Sequence, residues 1–125
     1  MNGTKYLLDT NYILGLLKRH PVVISELSKL NVTTEECSYS AVTRMELLGF
    51  QGICNEEEAI IREKLDYLTY LQLNREVEDI TIHIRRGRKI KLPDAIIAAT
   101  AVCFDLQLLT LDQHLSTVFN TLRQS

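Results

Sequence analysis

The fold is decided by the stretch Lys5-Tyr6-Leu7-Leu8-Asp9-Thr10-Asn11, in which a short apolar run ends at a carboxylate. An apolar run of this length, bounded by polar residues, is typical of a buried strand. Asp9 or Thr10 can then cap a helix that extends from about Asn11 to Lys18. A strand that passes directly into a helix is the repeating unit of an α/β protein.

The rest of the chain continues this alternation. Apolar spacing and capping residues predict helices over residues 21–30, 41–48, 56–69, 75–86 and 93–104, and a short last helix from Asp112. Strands are predicted over residues 37–39, 70–73 and 106–109, with residues 117–119 as a candidate edge strand. Alternating strands and helices indicate a parallel sheet covered on both faces. At 125 residues the chain has the length of one domain, and we predict a single domain over residues 1–125.

Composition excludes several classes of protein. Hydrophobic residues make up 46% of the chain and charged residues 24%, a balance that argues against disorder. Three widely spaced cysteines, Cys37, Cys54 and Cys103, argue against a disulfide framework or a cysteine zinc site and suit a reducing compartment. Neither an export signal nor a membrane span is visible, so we expect a cytoplasmic protein without membrane contact. The net charge of −2 does not by itself indicate a nucleic-acid partner.

Four carboxylates fall where a parallel sheet forms its sites. Asp9 and Asp112 come just after predicted strands, and Glu46 and Asp94 lie in the first turn or two of predicted helices. The carboxyl ends of parallel strands meet at one edge of a sheet, so we expect the four side chains to converge there. Each residue also has an ordinary structural explanation: Asp9, Asp94 and Asp112 suit helix starts, and Glu46 can extend to solvent from a core helix.

Glu46 is the most informative of the four in its local sequence. Met45 and Leu47 flank it, and Val42 and Phe50 are its neighbours one helical turn away. We therefore expect its carboxylate to be partly desolvated, which is unfavourable unless a cation or a hydrogen-bonding partner compensates.

A cluster of four carboxylates requires neutralisation by protons or by cations. Like charges at close range repel one another unless protons or cations neutralise them. An all-oxygen set without histidine favours Mg²⁺ or Mn²⁺ over zinc or copper. The sequence thus predicts a site for Mg²⁺ or Mn²⁺ at the carboxyl edge of the sheet.

The chain resembles PIN domains, and specifically the short bacterial VapC-type toxins. Four stretches carry the resemblance: LLDTN (residues 7–11), SAVTRMELLG (residues 40–49), LPDAIIAATA (residues 92–101) and LLTLD (residues 108–112). They occur in the family's order and cover nearly the whole chain, and the third is the most specific. One departure is Gln113-His114-Leu115, where family members often have a basic-aromatic pair such as His-Phe after the last acid.

The resemblance implies a PIN-like three-layer fold, in which helices flank a short central parallel sheet. It also implies a Mg²⁺- or Mn²⁺-dependent endoribonuclease that cleaves RNA with metal-activated water, acting as the toxin of a type II toxin–antitoxin pair. The expected partners are RNA, a small antitoxin that covers the acidic groove, and a second copy in a homodimer. The implied catalytic and metal-binding residues are Asp9, Glu46, Asp94 and Asp112, with Asn11, Ser40, Thr43 and Thr110 as polar supports.

A basic stretch immediately precedes Asp94. Its cations are Arg85, Arg86, Arg88, Lys89 and Lys91. In a chain with a negative net charge, such a local excess can engage an RNA backbone, although cations also suit the end of a helix. Arg44 is a second candidate for phosphate contact, or for neutralising the acidic pocket.

Three other classes of protein are alternatives to a nuclease. A haloacid-dehalogenase-like phosphatase would need a second aspartate where Asn11 stands, and a phospho-receiver would need a lysine after a late strand. A catalytically inactive or non-toxin PIN-like domain that binds RNA or protein remains open. Retention of all four acids argues against inactivity, because their repulsion would destabilise the fold without a use.

Overall fold

Strands and helices alternate along the structure, a computed structural model that describes residues 3–124. The strands are β1 (Tyr6–Leu8), β2 (Cys37–Ser40), β3 (Thr69–Leu71) and β4 (Gln107–Leu109). The helices are α1 (Thr10–Leu17), α2 (Pro21–Lys29), α3 (Ala41–Leu48), α4 (Asn55–Leu65), α5 (Arg75–Gly87), α6 (Leu92–Cys103) and α7 (Gln113–Arg123). A short 3-10 turn, Thr34–Glu36, precedes β2.

The four strands form one parallel sheet in the order β3-β2-β1-β4. In the ladder, Leu7 of β1 is opposite Ser38 of β2, and Leu8 of β1 is opposite Leu109 of β4. The residues that follow β1 and β4 therefore lie side by side at the carboxyl edge of the sheet. This arrangement confirms the predicted α/β fold with a short central parallel sheet.

Helices cover both faces of the sheet, which explains why the strands are apolar on both sides. Leu7 and Leu108 pack into a core cluster with α5, α6 and α7. The next residues along each strand, Leu8 and Leu109, point to the other face and pack with α1 and α4. None of the helices within residues 3–124 combines the length and the apolar character needed to cross a lipid bilayer.

The prediction of an edge strand over residues 117–119 is wrong. These residues belong to α7, which is longer than expected and begins after Asp112. Its buried residues Leu115, Val118 and Phe119 have the spacing of one helical face, and this face packs against the sheet. A smaller difference concerns the helix predicted over residues 56–69, which ends at Leu65, so that β3 begins at Thr69.

Candidate active site

Asp9 lies at the centre of the carboxyl edge, directly after β1, and only 5% of its surface is exposed. Its Oδ1 accepts a hydrogen bond from the backbone N–H of Tyr12 at 2.8 Å, so Asp9 caps α1. Its Oδ2 accepts a hydrogen bond from the hydroxyl of Thr110, which follows β4. The same hydroxyl oxygen accepts the backbone N–H of Asp112 at 3.0 Å. Thr110 thus connects two of the carboxylate positions.

Glu46 reaches the same edge from α3. Its Oε1 lies 2.5 Å from the hydroxyl of Thr10, and that hydroxyl lies 3.0 Å from the hydroxyl of Thr43. Thr43 is buried, and its backbone N–H donates to the hydroxyl of Ser40, the N-cap of α3. A line of hydroxyls therefore orients Glu46 from the end of β2. Ser40 and Thr43 were expected to help position this carboxylate, and among the described residues their hydrogen bonds reach it through Thr10.

The expectation that Glu46 is partly desolvated is wrong, since the residue is exposed. The apolar neighbours on which that expectation rested are largely exposed themselves: Met45 is 59% exposed and Phe50 is 42% exposed. The carboxylate side of α3 borders an open groove, whereas the residues Val42 and Leu47 turn into the core.

The remaining two carboxylates come from helix starts. Asp94 is the third residue of α6, is partly exposed, and accepts no hydrogen bond within residues 3–124. Asp112 is the N-cap of α7, where its Oδ1 accepts the backbone N–H of Leu115 at 3.0 Å.

These four side chains line one cavity of about 230 Å³. Its complete lining is Asp9, Thr10, Asn11, Glu46, Asp94, Ile97 and Asp112. Asn11 is exposed at its rim. Carboxylates 103 positions apart in the sequence (Asp9 and Asp112) are thereby brought together.

The electrostatics of Asp9 reflect both its burial and its neighbours. Burial raises the pKa of the Asp9 carboxyl above its usual value, because desolvation disfavours the charged form. The hydrogen bonds from Thr110 and Tyr12 act in the opposite direction, since they stabilise the carboxylate. The negative charges of Asp112 and Asp94 add to the upward shift. Asp9 is therefore a buried acid held in place by two donors.

The pKa of the Asp94 carboxyl is also raised, but the charged neighbours differ from those of Asp9. Burial raises the pKa of its carboxyl, and the charges of Asp112 and Glu46 raise this pKa further. Lys91 and His114 lower it. Repulsion among the carboxylates is therefore present as expected, but desolvation is the larger cause for both Asp9 and Asp94. No ion pair within residues 3–124 involves any of the four carboxylates.

The donor set fits a hard divalent cation, because every polar ligand in the cavity is an oxygen or an amide. Both oxygens of Asp94 and one oxygen each of Glu46 and Asp112 accept no hydrogen bond from the described residues. As the side chains stand within residues 3–124, no group of three or more acidic, histidine or cysteine side chains is arranged so that it could hold a metal ion. One oxygen each of Asp9 and Asp112 accepts a backbone N–H as a helix cap.

The cations of the basic stretch differ in their surroundings. Lys91 is the N-cap of α6 and lies close enough to Asp94 to affect its pKa. Arg85 turns its Nε to the carbonyl oxygen of Ile90, 3.3 Å away, so part of its guanidinium serves the protein itself. Arg44 is exposed on α3, lies near Tyr39, and does not line the acidic cavity.

Two residues at the site were not foreseen from the sequence. Thr10 was expected only as a possible helix cap, yet its hydroxyl contacts Glu46. The sequence marks His114 only as part of a departure from the family pattern, yet this residue lies near Asp94 and contacts the backbone of Lys89. The only available signal was position, because Thr10 adjoins Asp9 and His114 lies two residues after Asp112.

Comparisons with known proteins agree with this architecture. The family model of the PIN domain matches residues 6–119. A chain of a toxin-antitoxin complex from Klebsiella pneumoniae is 27% identical, with a TM-score of 0.73 over 86% of this chain and 87% of that chain. A chain of FitAcB from Neisseria gonorrhoeae is 27% identical, with a TM-score of 0.74 over 92% of this chain and 93% of that chain.

A third solved structure, DNA-bound VapBC from Salmonella typhimurium, contains a chain that is 27% identical, with a TM-score of 0.68. The likeness covers 82% of this chain and 83% of that chain. No curated protein sequence matches the chain significantly.

Proposed function

The chain belongs to the PIN domain family and has the fold of its VapC-type members, and on this basis we propose that it is a metal-dependent endoribonuclease. The observation that carries the proposal is the convergence of four carboxylates on one cavity of about 230 Å³, without an ion pair to any of them in the described residues. We propose that residues 1–125 act as a single nuclease domain that cleaves RNA phosphodiesters in the cytoplasm.

Asp9, Glu46, Asp94 and Asp112 would hold Mg²⁺ or Mn²⁺. When bound, a divalent cation supplies Lewis-acid chemistry, which activates water and draws charge from the scissile phosphate. Asp94, in the first turn of α6, is the carboxylate most available to a cation, because neither of its oxygens accepts a hydrogen bond from the described residues. Asp9 is the most rigid member, since both of its oxygens accept hydrogen bonds.

The polar residues around the carboxylates have separate tasks. Thr10 holds Oε1 of Glu46 and leaves Oε2 of that carboxylate directed to other partners. Thr110 holds Asp9 and the backbone of Asp112 together, so these two positions keep a constant separation. The hydroxyl of Thr43 lies 3.0 Å from the hydroxyl of Thr10, and Ser40 in turn accepts the backbone N–H of Thr43. Such positioning raises the rate because the reacting groups need not be ordered at each turnover.

RNA binding requires cations next to this acidic cavity. The basic residues Arg85, Arg86, Arg88, Lys89 and Lys91 precede Asp94, and none of them forms an ion pair in the described residues. Their charge would attract the RNA backbone and offset the repulsion between phosphates and carboxylates. Arg44 is a weaker candidate because it does not line the cavity.

We also propose a biological role as the toxin of a type II toxin–antitoxin pair. The similar solved structure from Klebsiella pneumoniae is a toxin-antitoxin complex, which supports a small antitoxin partner for this chain. We propose in addition that the chain forms a homodimer. An antitoxin segment that carries arginine or lysine would complement the acidic groove, because its charge replaces that of the metal. Expression of the chain alone should then slow growth, and co-expression with its antitoxin should restore growth. Unimpaired growth with a folded and active nuclease would contradict the toxin role.

The nuclease proposal is tested by incubating the purified chain with a single-stranded RNA of mixed sequence. Cleavage should appear with Mg²⁺ or Mn²⁺, disappear in excess chelator, and return when Mn²⁺ is added back. A parallel assay with an aryl phosphate should show no hydrolysis, which separates a nuclease from a general phosphatase. Full activity in excess chelator, or a requirement for zinc, would contradict the proposal. RNA binding without cleavage would indicate a binding module instead.

A further inference from the structure

The segment between α5 and α6 is held at two consecutive carbonyl groups. We call Arg85–Lys91 the basic segment. Nε2 of His114 lies 3.2 Å from the carbonyl oxygen of Lys89, and Nε of Arg85 lies 3.3 Å from that of Ile90. Because a carbonyl oxygen only accepts hydrogen bonds, Nε2 of His114 carries the proton in this contact.

The contact through His114 is the only one of the two that comes from outside the segment. His114 is the second residue of α7, which begins directly after Asp112. The start of α7 is itself fixed, since Asp112 caps it and Thr110 binds the backbone of Asp112. His114 therefore ties the basic segment to the same helix start that presents a carboxylate to the cavity.

Lys91 brings a positive charge of the segment close to the cavity, and no cation of the segment forms an ion pair with a described residue. Lys91 and the ring of His114 both lie close enough to Asp94 to lower the pKa of its carboxyl. Neither Lys89 nor Lys91 forms an ion pair with another described residue. Uncompensated cations at the edge of an acidic cavity are suited to a polyanion whose reacting phosphate enters that cavity.

We propose that His114 is a positioning residue for the substrate: its hydrogen bond to the Lys89 carbonyl holds the basic segment so that Lys89 and Lys91 contact RNA phosphates beside the scissile one. The inference rests on the proposed nuclease function and adds a task for a residue outside the carboxylate set. Without this bond, RNA binding must first order the segment, and the loss of conformational entropy weakens the affinity. A bound substrate would still meet an unchanged set of carboxylates.

Substitution of His114 should therefore raise KM and leave kcat nearly unchanged. For His114→Ala we expect KM to rise about three- to tenfold, the effect of one lost hydrogen bond, with kcat within about twofold of the wild type. His114→Gln should recover most of the affinity, because the glutamine amide can donate to the same carbonyl. His114→Phe keeps a ring and removes the donor, so it should behave like His114→Ala. His83→Ala is the matched control, since His83 is exposed on α5.

The experiment measures kcat and KM for cleavage of a mixed-sequence RNA in Mn²⁺ at one pH. It also measures the Kd of the same labelled RNA in excess chelator, and amide hydrogen exchange over residues 88–92. We expect KM, Kd and exchange to rise together in His114→Ala and His114→Phe, and not in His83→Ala.

Two other outcomes would overturn the assignment, and they have different meanings. If the wild type cleaves RNA while His114→Ala leaves both KM and Kd unchanged, or lowers kcat alone, His114 does not position the substrate and the nuclease proposal survives. If the wild type neither binds nor cleaves RNA, the proposed function fails and the assignment fails with it.

Discussion

The hydroxyl of Thr110 donates a hydrogen bond to Oδ2 of Asp9, although the two residues are 101 positions apart in the sequence. Parallel pairing of β1 with β4 produces this contact, because Leu8 is opposite Leu109 and the next residue on each strand reaches the same edge. The contact stabilises a buried carboxylate and also holds the start of α7. The candidate site is therefore built into the sheet and is not an addition to its surface.

Thr110→Val tests this contact through stability. Valine has the shape of threonine and lacks the hydroxyl, so Oδ2 of buried Asp9 and the N–H of Asp112 lose their partner. We expect the free energy of unfolding to fall by about 1–3 kcal/mol in urea titrations. Thr117→Val is the control, because the Thr117 hydroxyl is exposed and bonds only within α7. If the two substitutions lowered the free energy of unfolding equally, the hydrogen bond to Asp9 would make no specific contribution to stability.

Thr10→Val tests the orientation of Glu46. The substitution removes the hydroxyl that lies 2.5 Å from Oε1 of this exposed carboxylate. If Glu46 is a metal ligand as proposed, we expect the rate of RNA cleavage to fall on the order of tenfold, because a misplaced ligand lowers the rate. Thr10→Ser keeps the hydroxyl and should stay close to the wild-type rate. A serine variant as slow as the valine variant would assign the effect to packing.

If the basic segment binds RNA phosphates, the affinity for RNA should depend on the salt concentration. Changing Arg86 and Arg88 to alanine should weaken RNA binding and reduce the slope of log affinity against log salt by roughly one unit per lost phosphate contact. A double substitution of Lys29 and Arg62, which removes the same charge on other helices, is the control. Binding isotherms at several salt concentrations measure the slope. Equal slopes for the two double variants would show that Arg86 and Arg88 do not contact RNA phosphates.

The raised pKa values of Asp9 and Asp94 determine how stability depends on pH. An acid whose pKa is higher in the folded state binds more protons when folded than when unfolded. Without metal, the free energy of unfolding should therefore rise as pH falls from neutral through the folded pKa values, until it nears the unfolded value of about 4. Melting temperatures in chelator across this range measure the trend. A steady loss of stability from neutral pH downward would contradict it.

Asp94→Asn should reproduce part of this effect at neutral pH. The amide removes a partly desolvated charge, so the metal-free variant should be at least as stable as the wild type. It should also gain less stability from Mn²⁺, because a ligand has been lost. Asp79→Asn, exposed on α5, should change neither property. A clear loss of stability with an undiminished gain from Mn²⁺ would make Asp94 a helix-start residue only.

Much of this fold follows from local patterns. Asp9, Ser40 and Asp112 mark helix starts that the structure contains, and the alternation of apolar strands with helices predicts the parallel sheet. The length of the last helix was underestimated because residues 117–119 favour a strand locally. Packing of Leu115 and Phe119 against the sheet stabilises a helix instead.

The site was harder to predict than the fold. Strand order was enough to place Asp9, Asp94 and Asp112, since each follows a strand or opens a helix, whereas Glu46 comes from the second turn of α3. Thr10 contacts Glu46 on another helix, and His114 contacts the backbone of Lys89, 25 positions away. Contacts between distant segments of the chain cannot be predicted from local sequence. Glu46 was expected in a desolvated setting because apolar neighbours in sequence do not reveal whether a partner element covers them.

The cleavage rate of Asp94→Asn in saturating Mn²⁺ shows whether the carboxylate cavity performs metal-dependent cleavage of RNA. We expect this rate to fall on the order of a hundredfold or more, with an unchanged circular dichroism spectrum and a wild-type rate for Asp79→Asn. A folded Asp94→Asn variant that cleaves RNA at the wild-type rate would exclude Asp94 from the reaction and, with it, the proposed metal site.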